Sequence, residues 1–555
     1  MKFQHNRMAR IPLLRTALLA LSLLSFFFFL MQLWGFYHDD PFIVLRYARH
    51  LLEGKGLVWN PGERVEGYSC FLWLMFISLL GACNLDLVVA SRVAGMLFGL
   101  LALMLPFVSA NRNTILCSLL LATNSCFALW ALGGLETLMF TFFVFAGVLL
   151  FFQARPIPRN LFCTGILFCL ASMTRLEGLM LFSITFLFCF FNNRRDLRAG
   201  LRQALFLLAG FLILFAPYFV WRFWYFGYLL PCTYYVKGGA ANSIKLLFGA
   251  RYAAHFVLLY GFPLGMLLLL KDFKRFVRSN LYLISILVCY AAYVVSVGGD
   301  HMPGFRFMVP LLPVLYLLVA QAVPHLRFQR PAAARIAVAC ILCLNFFISY
   351  RLIVKTPEEF AAVKQHSYAY KYCTPVPDTA AYYGKYVGLY MKQHWPENAL
   401  VACNTVGAIP LFSELRCIDM LGLNDYTIAR SPVLYKIDIA LTELLTAEGR
   451  RQIRGRVFGK YSPWQLMPGH GKGDGAYVLS RKPDYIILGP AEGARKPWFK
   501  ADRELLASPD FLKFYTPKEA AIPVSGDYDA YFPATKNGVL VFTYYERTDR
   551  EPGVL

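Results

Sequence analysis

The chain has 555 residues, 58% hydrophobic and only 16% charged, with a mean hydropathy of +0.49, which excludes an ordinary soluble protein. A net charge of +22 points at first to nucleic acid, but residues 1–354 carry 30 basic and 11 acidic groups while the rest carry 25 and 22. The excess sits among apolar runs, where positive charge reports membrane orientation, so no nucleic-acid partner is expected.

Runs near 20 apolar residues recur through the first two-thirds of the chain, the length a bilayer core requires. They predict helices at 13–34, 86–108, 114–132, 136–153, 160–174, 178–192, 204–224, 249–270, 281–298, 306–323 and 334–350, eleven crossings in all. The first begins like a signal peptide, but its apolar core is long and no small-residue cleavage site follows, so it reads as an uncleaved helix closed by Trp34 and Tyr37. The run at 69–83 is shorter. Leaving it on the outer surface puts Arg112, Arg155, Arg159, the cluster NNRRDLRAGLR, Lys271, Lys274, Arg275, Arg278, Arg327, Arg330 and Arg335 on the inner side. The positive-inside rule favours that choice, with the N-terminus cytoplasmic and the tail outside. Most cysteines lie in spans as packing residues; Cys403 and Cys417, in the tail, are left as either a pair or two thiols.

In this topology nine of the eleven acidic residues before 354 face outward: Asp39, Asp40, Glu53, Glu63, Glu66, Asp86, Glu136, Glu177 and Asp300. Arg175, Arg222, Lys237 and Arg306 join them at outer helix ends. Singly, each is an ordinary snorkelling charge; as a set they suggest a polar cavity opening outward at the membrane surface.

The first outer loop, residues 35–85, places two carboxylates directly after a span, and Pro41 then opens an amphipathic stretch suited to the interface. Asp40 is either a helix N-cap or a general base that takes a proton from an acceptor hydroxyl, with Asp39 orienting it or helping to hold a cation. WRFWYFGYLLPCTYYVKGG (221–239) offers Arg222, Tyr235 and Lys237, the two basic groups suiting an anionic lipid phosphate and the tyrosines also fitting an aromatic belt. VGGDHMPGFRFMVPLLP (297–313) sets Asp300, His301 and Arg306 around a Gly pair, with His301 a phosphate ligand, a metal ligand, a proton shuttle or a solvated turn residue. After about residue 355 the composition turns soluble, with short β-type runs ALVACN, RCIDM, PDYIIL and VLVFTYY that predict an α/β domain over 355–555. Its Gly-rich stretch MPGHGKGDGAYVLS (467–480) lacks P-loop spacing and is either a surface loop or a cover over the acceptor entrance.

The phrases HDDPFIVLRYARHLLEGKGLVWNPGERVEGY, WALGGLET, TRLEG, WRFWYFGYLLPCTYYVKGG, GGDHMPGFRFMVP, GAIPLF and IDMLGLND together resemble the GT-C superfamily of polyprenyl-phosphate-sugar glycosyltransferases. Within it the resemblance is to the terminal arabinofuranosyltransferases of cell-wall arabinan synthesis. It implies a multi-pass enzyme of the bacterial plasma membrane, with a GT-C-like catalytic domain at 1–354 and an extracytoplasmic α/β domain after it. It also implies that the acidic pair Asp39 and Asp40 lies beside catalysis. Leu176 and Cys232 depart from the family pattern, which has proline and often asparagine there.

The expected reaction moves a sugar, an arabinofuranose, from a polyprenyl phosphate to a hydroxyl of a glycan, lipid or protein acceptor. Asp40, or less favourably Asp39, is the expected base; Arg222, Lys237, Arg306, Arg175, His301 and Tyr235 are expected on the phosphate; Glu136, Glu177 and Asp300 on the sugar. No cofactor is required beyond that donor, and a divalent cation stays open. The alternative class, a transporter or flippase for a glycolipid, calls for charges in mid-helix and helices broken near the bilayer centre.

Overall fold

The computed structural model describes residues 2–109, 112–238, 242–328, 330–365, 369–433, 469–526, 528–532, 535–536 and 538–549, with side chains from 13 onward except at 112, 242–244, 364–365, 369, 529 and 535–536. Every predicted apolar run is helical. Five helices are each long and apolar enough to cross a membrane: Leu13–Gln32, Leu87–Val108, Leu197–Phe226, Arg306–His325 and Pro331–Arg351. Three pairs qualify only together, bent by 70°, 66° and 77°: Ile115–Ala122 with Ser125–Leu132, Lys245–Tyr260 with Phe262–Leu269, and Phe273–Ser279 with Leu281–Ser296. The remaining three of the eleven runs are Thr137–Gln153, Pro158–Thr174 and Glu177–Asn192, of 17, 17 and 16 residues, below the roughly 20 that a bilayer core asks for. Length and hydropathy therefore support five to eight spans among the described residues.

The bends have local causes. Asn124 accepts from the backbone N–H groups of Cys126 and Phe127 and so starts a new helix, while Pro263 opens the segment after Gly261. No ionisable residue stands at Thr123, Asn124, Gly261 or Asn280, where the bends occur. Elsewhere glycines let backbones close up: a Cβ at Gly165 would lie 2.1 Å from the Leu207 carbonyl, and one at Gly210 would lie 2.0 Å from that of Phe162. Pro158–Thr174 and Leu197–Phe226 thereby pack closely in an environment without a hydrophobic driving force.

Two short helices follow the first span. Pro41–Leu52 buries nine of its twelve residues, and Phe71–Ala82, also twelve residues, is too short to cross. The latter packs against Pro41–Leu52, Leu87–Val108 and Pro158–Thr174.

The tail forms a mixed sheet of six strands: β1 (Leu400–Cys403), β2 (Arg416–Asp419), β3 (Tyr485–Ile487), β4 (Tyr515–Pro523), β5 (Thr535–Lys536) and β6 (Val539–Arg547). The order is β2-β1-β3-β6-β4, with β5 also on β6; β1 pairs in parallel with β2 and β3, and β6 runs antiparallel to β3, β4 and β5. Alternation along β1 divides the two faces. Ala402 joins Ile418, Ile486, Leu505 and Phe511, whereas Val401 and Cys403 join a core continuous with the helical bundle.

The tail is not an appendage. Arg46, 2% exposed, donates to the carbonyls of Trp59, Pro410 and Leu415 and to Asn60 Oδ1, so one guanidinium ties the first outer loop to the sheet domain. Asn60 exchanges two more hydrogen bonds with the Cys417 backbone. All fourteen cysteines are free thiols; Cys403 and Cys417 stand buried on neighbouring strands, each with its Sγ directed at a local carbonyl.

Candidate active site

The HDD segment separates its two carboxylates. Asp39 is 7% exposed and accepts from the backbone N–H groups of Gly407 (3.1 Å) and Ala408 (2.8 Å), capping from outside the helix Ala408–Ser413 of the tail. Only glycine fits at 407, because a Cβ there would lie 2.5 Å from Asp39 Oδ2. Asp40 occupies the N-cap position of Pro41–Leu52, yet its side chain makes no capping bond. It is 41% exposed, 3.8 Å from His38 Nδ1, which also accepts from the Asp40 backbone N–H. Of the two readings open at Asp40, the capping one does not describe its side chain.

The GGDH turn faces it. Gly298 and Gly299 take positive φ values of 93° and 71°, and a Cβ on Gly299 would meet the Tyr252 ring at 2.7 Å. Asp300 accepts from Arg306 Nε at 2.6 Å and lies 3.6 Å from His301 Nδ1. Phe305, fully buried among Tyr252, Phe256, Tyr260 and Tyr370, is held at φ 46°, a left-handed conformation that costs a non-glycine residue energy and here sets the direction of Arg306. The Arg306 guanidinium lies over Trp130 and Phe307, and Asp300 is its only hydrogen-bond partner among the described residues.

Lys237 ends the short helix Cys232–Lys237 and makes no ion pair or hydrogen bond through its side chain to the described residues. Its surroundings are nonetheless charged. Although the residue is exposed, desolvation by the surrounding chain and Arg306 press its ammonium below the ordinary lysine range against the pull of Asp300 and Asp40. Burial also works against ionisation of Asp40 and Asp300, but the basic groups win. His38, Arg306, His301 and Lys237 hold Asp40 below the usual aspartate range, and Arg306, His301 and Lys237 do the same for Asp300. His301 is lowered by burial, although Asp300 opposes this. The result is an accessible ionised carboxylate beside two cations, at the end of the bundle on which the tail sits.

Other expected residues stand apart. Arg175 is held by Glu136 (2.6 Å) and Glu177 (2.7 Å) and shares the Phe307 ring with Arg306, so this triad walls the site. Arg222 binds both Glu66 oxygens and the carbonyls of Tyr228 and Leu229, which occupies four of its five N–H donors. Tyr235 packs with Tyr234, Tyr426 and Arg430 at the tail interface. Cys232 Sγ donates to the Gly422 carbonyl on that same interface.

Two histidines join the site that the spacing of acidic residues did not single out. His38 was visible only as the neighbour of the aspartates. His470 comes from the Gly-rich loop, whose Met467 and Pro468 lie outside the described residues; Gly469, at φ 96°, turns it so that its ring lies 5.4 Å from that of His301. No group of three or more His, Cys, Asp or Glu side chains suited to a metal ion occurs among the described residues, so no step is assigned to a cation.

Residues 378–532 match a family described as a domain of unknown function, DUF8728. The chain is 26% identical over 328 residues to a terminal β-(1→2)-arabinofuranosyltransferase of Mycobacterium tuberculosis, a match covering 50% of this chain. The chain thus spans about half the length, 51%, of that curated relative. Among solved structures it is similar to ArnT from Cupriavidus metallidurans bound to undecaprenyl phosphate, with a TM-score of 0.47 and 12% identity over 73% of this chain and 85% of that one.

The Glu66–Arg222 pair and the buried Asp39 each give a prediction. Arg222→Ala strands the buried Glu66 carboxylate and lowers stability by about 3–5 kcal/mol in thermal unfolding of the purified protein, and adding Glu66→Leu restores part of the loss. The double variant being no more stable than Arg222→Ala would refute a structural pair. Burial, with Asp378 and Asp40 adding to it, lifts Asp39 to about 7 from an ordinary 3.8, despite the Ala408 N–H. The folded state therefore keeps a proton that the unfolded chain has lost. The stability Asp39 contributes is full below pH about 4 and is lost as pH rises through about 7. Melting temperatures measured across that window should fall less steeply for Asp39→Asn than for wild type; parallel curves would contradict the assignment.

Proposed function

We propose that this chain is a polyprenyl-phosphate-dependent membrane glycosyltransferase of the GT-C kind, moving an arabinofuranose to a hydroxyl of a cell-envelope glycan, lipid or protein on the outer face. The observation that carries the reading is Asp40: an exposed, ionised carboxylate, not spent on capping, facing Lys237 and Arg306. The likeness to a terminal arabinofuranosyltransferase supports the pentose and the envelope acceptor.

Asp40 takes the proton of the acceptor hydroxyl as that oxygen bonds to the anomeric carbon of the donor. The bond from this carbon to the phosphate oxygen breaks, and its electron pair stays on the phosphate, where Lys237 and Arg306 neutralise the growing charge. Lys237 offers a mobile point charge and Arg306 a planar fork already pinned through Nε by Asp300. Asp300 and the Glu136–Arg175–Glu177 triad form the wall against which sugar hydroxyls are oriented. Arg222 and Tyr235 have no part in phosphate binding in this scheme. The lipid chain lies between the helices, the N-terminus is cytoplasmic, and the 355–555 domain faces outward and closes the acceptor side.

The three bent helix pairs are a feature that transporters share, but their breaks carry only Thr123, Asn124, Gly261 and Asn280. Without ionisable groups there, a midplane binding site has no chemistry to work with.

Membranes containing the protein are to be given labelled polyprenyl-phospho-arabinofuranose. Wild type transfers the label, Asp40→Asn loses on the order of 10²–10⁴-fold in rate, and Asp40→Asn keeps the wild-type melting temperature. Undiminished transfer by Asp40→Asn removes the base. Transfer only from a polyprenyl-phospho-hexose removes the pentose and keeps the reaction class.

A further inference from the structure

Each transfer of this kind leaves a proton behind. The donor phosphodiester carries one negative charge, the released monoester carries nearly two above its second pKa of about 6, and the acceptor proton ends on Asp40. That carboxylate must lose the proton before the next acceptor binds. Asp40 is held low in pKa by its cationic neighbours, so it gives the proton up readily, provided that a group stands ready to take it.

Three imidazoles from three distant parts of the chain succeed one another from Asp40, each next to the one before. His38 Nδ1 lies 3.8 Å from Asp40 Oδ1. The His38 and His301 ring centres are 6.2 Å apart and inclined at 61°, and those of His301 and His470 are 5.4 Å apart at 86°. An N–H···N bond of about 2.9 Å places two imidazole centres roughly 5 Å apart, so the outer step is close to direct contact and the inner one is longer by about an ångström. Resting enzymes commonly show such bonds lengthened until substrate arrives.

The line is built, not incidental. His38 is 6% exposed and fixed by the Asp40 backbone N–H. His301 Nδ1 lies 3.6 Å from Asp300 Oδ1. His470 stacks on Phe499 at 6.1 Å and is presented by Gly469, whose Cβ, if it had one, would sit 3.9 Å from Lys237 Cγ. Asp300, Asp40, Arg306 and Lys237 are the charged groups around the middle of the line.

We propose that His38, His301 and His470 form a proton relay that carries the acceptor proton from Asp40 to the loop of the tail domain and out to solvent, making His470 a positioning residue supplied by that domain. The inference rests on the transfer reading given above. In each step one imidazole nitrogen accepts a proton while the other nitrogen of the same ring releases one; His38 Nδ1 gives up the 3.3 Å bond from the Asp40 backbone N–H to take the proton, and each ring, neutral again in its other tautomer, turns back before the next transfer, so one proton leaves per sugar transferred.

The test uses the full chain in nanodiscs with the labelled polyprenyl-phospho-sugar, comparing wild type with His470→Ala, His470→Gln and His301→Gln. The expected result for His470→Ala is a kcat lower by roughly tenfold, less than the ~10²-fold or more of a base in direct contact. The donor KM is unchanged, and free imidazole in the buffer restores the rate. Combining His301→Gln with His470→Gln should cost no more than the worse of the two, as members of one line are not additive. His470→Gln, close in shape, checks folding through an unaltered melting temperature. Wild-type kcat in both His470 variants overturns the relay, and so does a loss confined to donor KM without imidazole rescue, which marks a phosphate contact. A wild-type protein inert toward every polyprenyl-phospho-sugar overturns the transfer reading itself and the relay with it.

Discussion

Two ionisable groups of the loop after the first span, Asp39 and Arg46, have almost no water to turn to, and the rest of the structure follows from how they are satisfied. Asp39 and Arg46 are 7% and 2% exposed and find their partners on the backbone of the tail, at Gly407, Ala408, Pro410 and Leu415. A buried charge left without such partners costs several kcal/mol, so the loop and the tail fold against each other or not at all. Because Asp39 is fixed this way, the next residue emerges with its carboxylate free of backbone duties. The adjacent acids thus divide the work, one binding the backbone of the tail and one left partly exposed beside His38.

The same economy explains which basic groups remain for chemistry. Arg222 has four of its five N–H donors on Glu66 and two carbonyls, and Arg175 is held between two glutamates. Arg306 is anchored only through Nε, and the Lys237 side chain is anchored to nothing among the described residues. Four cations at helix ends look alike in sequence, but Arg222 keeps a single N–H to spare and Arg175 carries two carboxylates that repel an anion, whereas Arg306 carries one and Lys237 none. Phe307 lies between the Arg175 and Arg306 guanidiniums at 5.1 and 4.9 Å, which keeps the structural cation beside the reactive one without sharing its carboxylates.

Much of this was legible in the sequence, because helix runs and charge asymmetry are local signals. The eleven apolar runs are all helical, the 69–83 run forms a helix of twelve residues, too short for a bilayer core, and the acidic residues gathered from the charge pattern include Asp40 and Asp300. What escaped was long-range pairing. Glu66 and Arg222 are 156 residues apart, and Asp39 and Gly407 are 368 apart, so spacing says nothing about either partnership. His470 lay in a Gly-rich loop with no recognisable motif, and its place beside His301 depends on the tail folding back onto the bundle. Crossing number is ambiguous for a physical reason too: bent pairs and helices of 16 or 17 residues are where length ceases to decide.

The account turns on where the donor phosphate sits. An experimental structure of the full chain in nanodiscs with a bound polyprenyl phosphate tests this most directly. The phosphate should lie between Lys237 and Arg306, within reach of both, with Asp40 facing the open side where the anomeric carbon would be. A phosphate bound to Arg222 in place of Glu66, or held at the opposite end of the bundle among Arg194, Arg195 and Arg278, would contradict it.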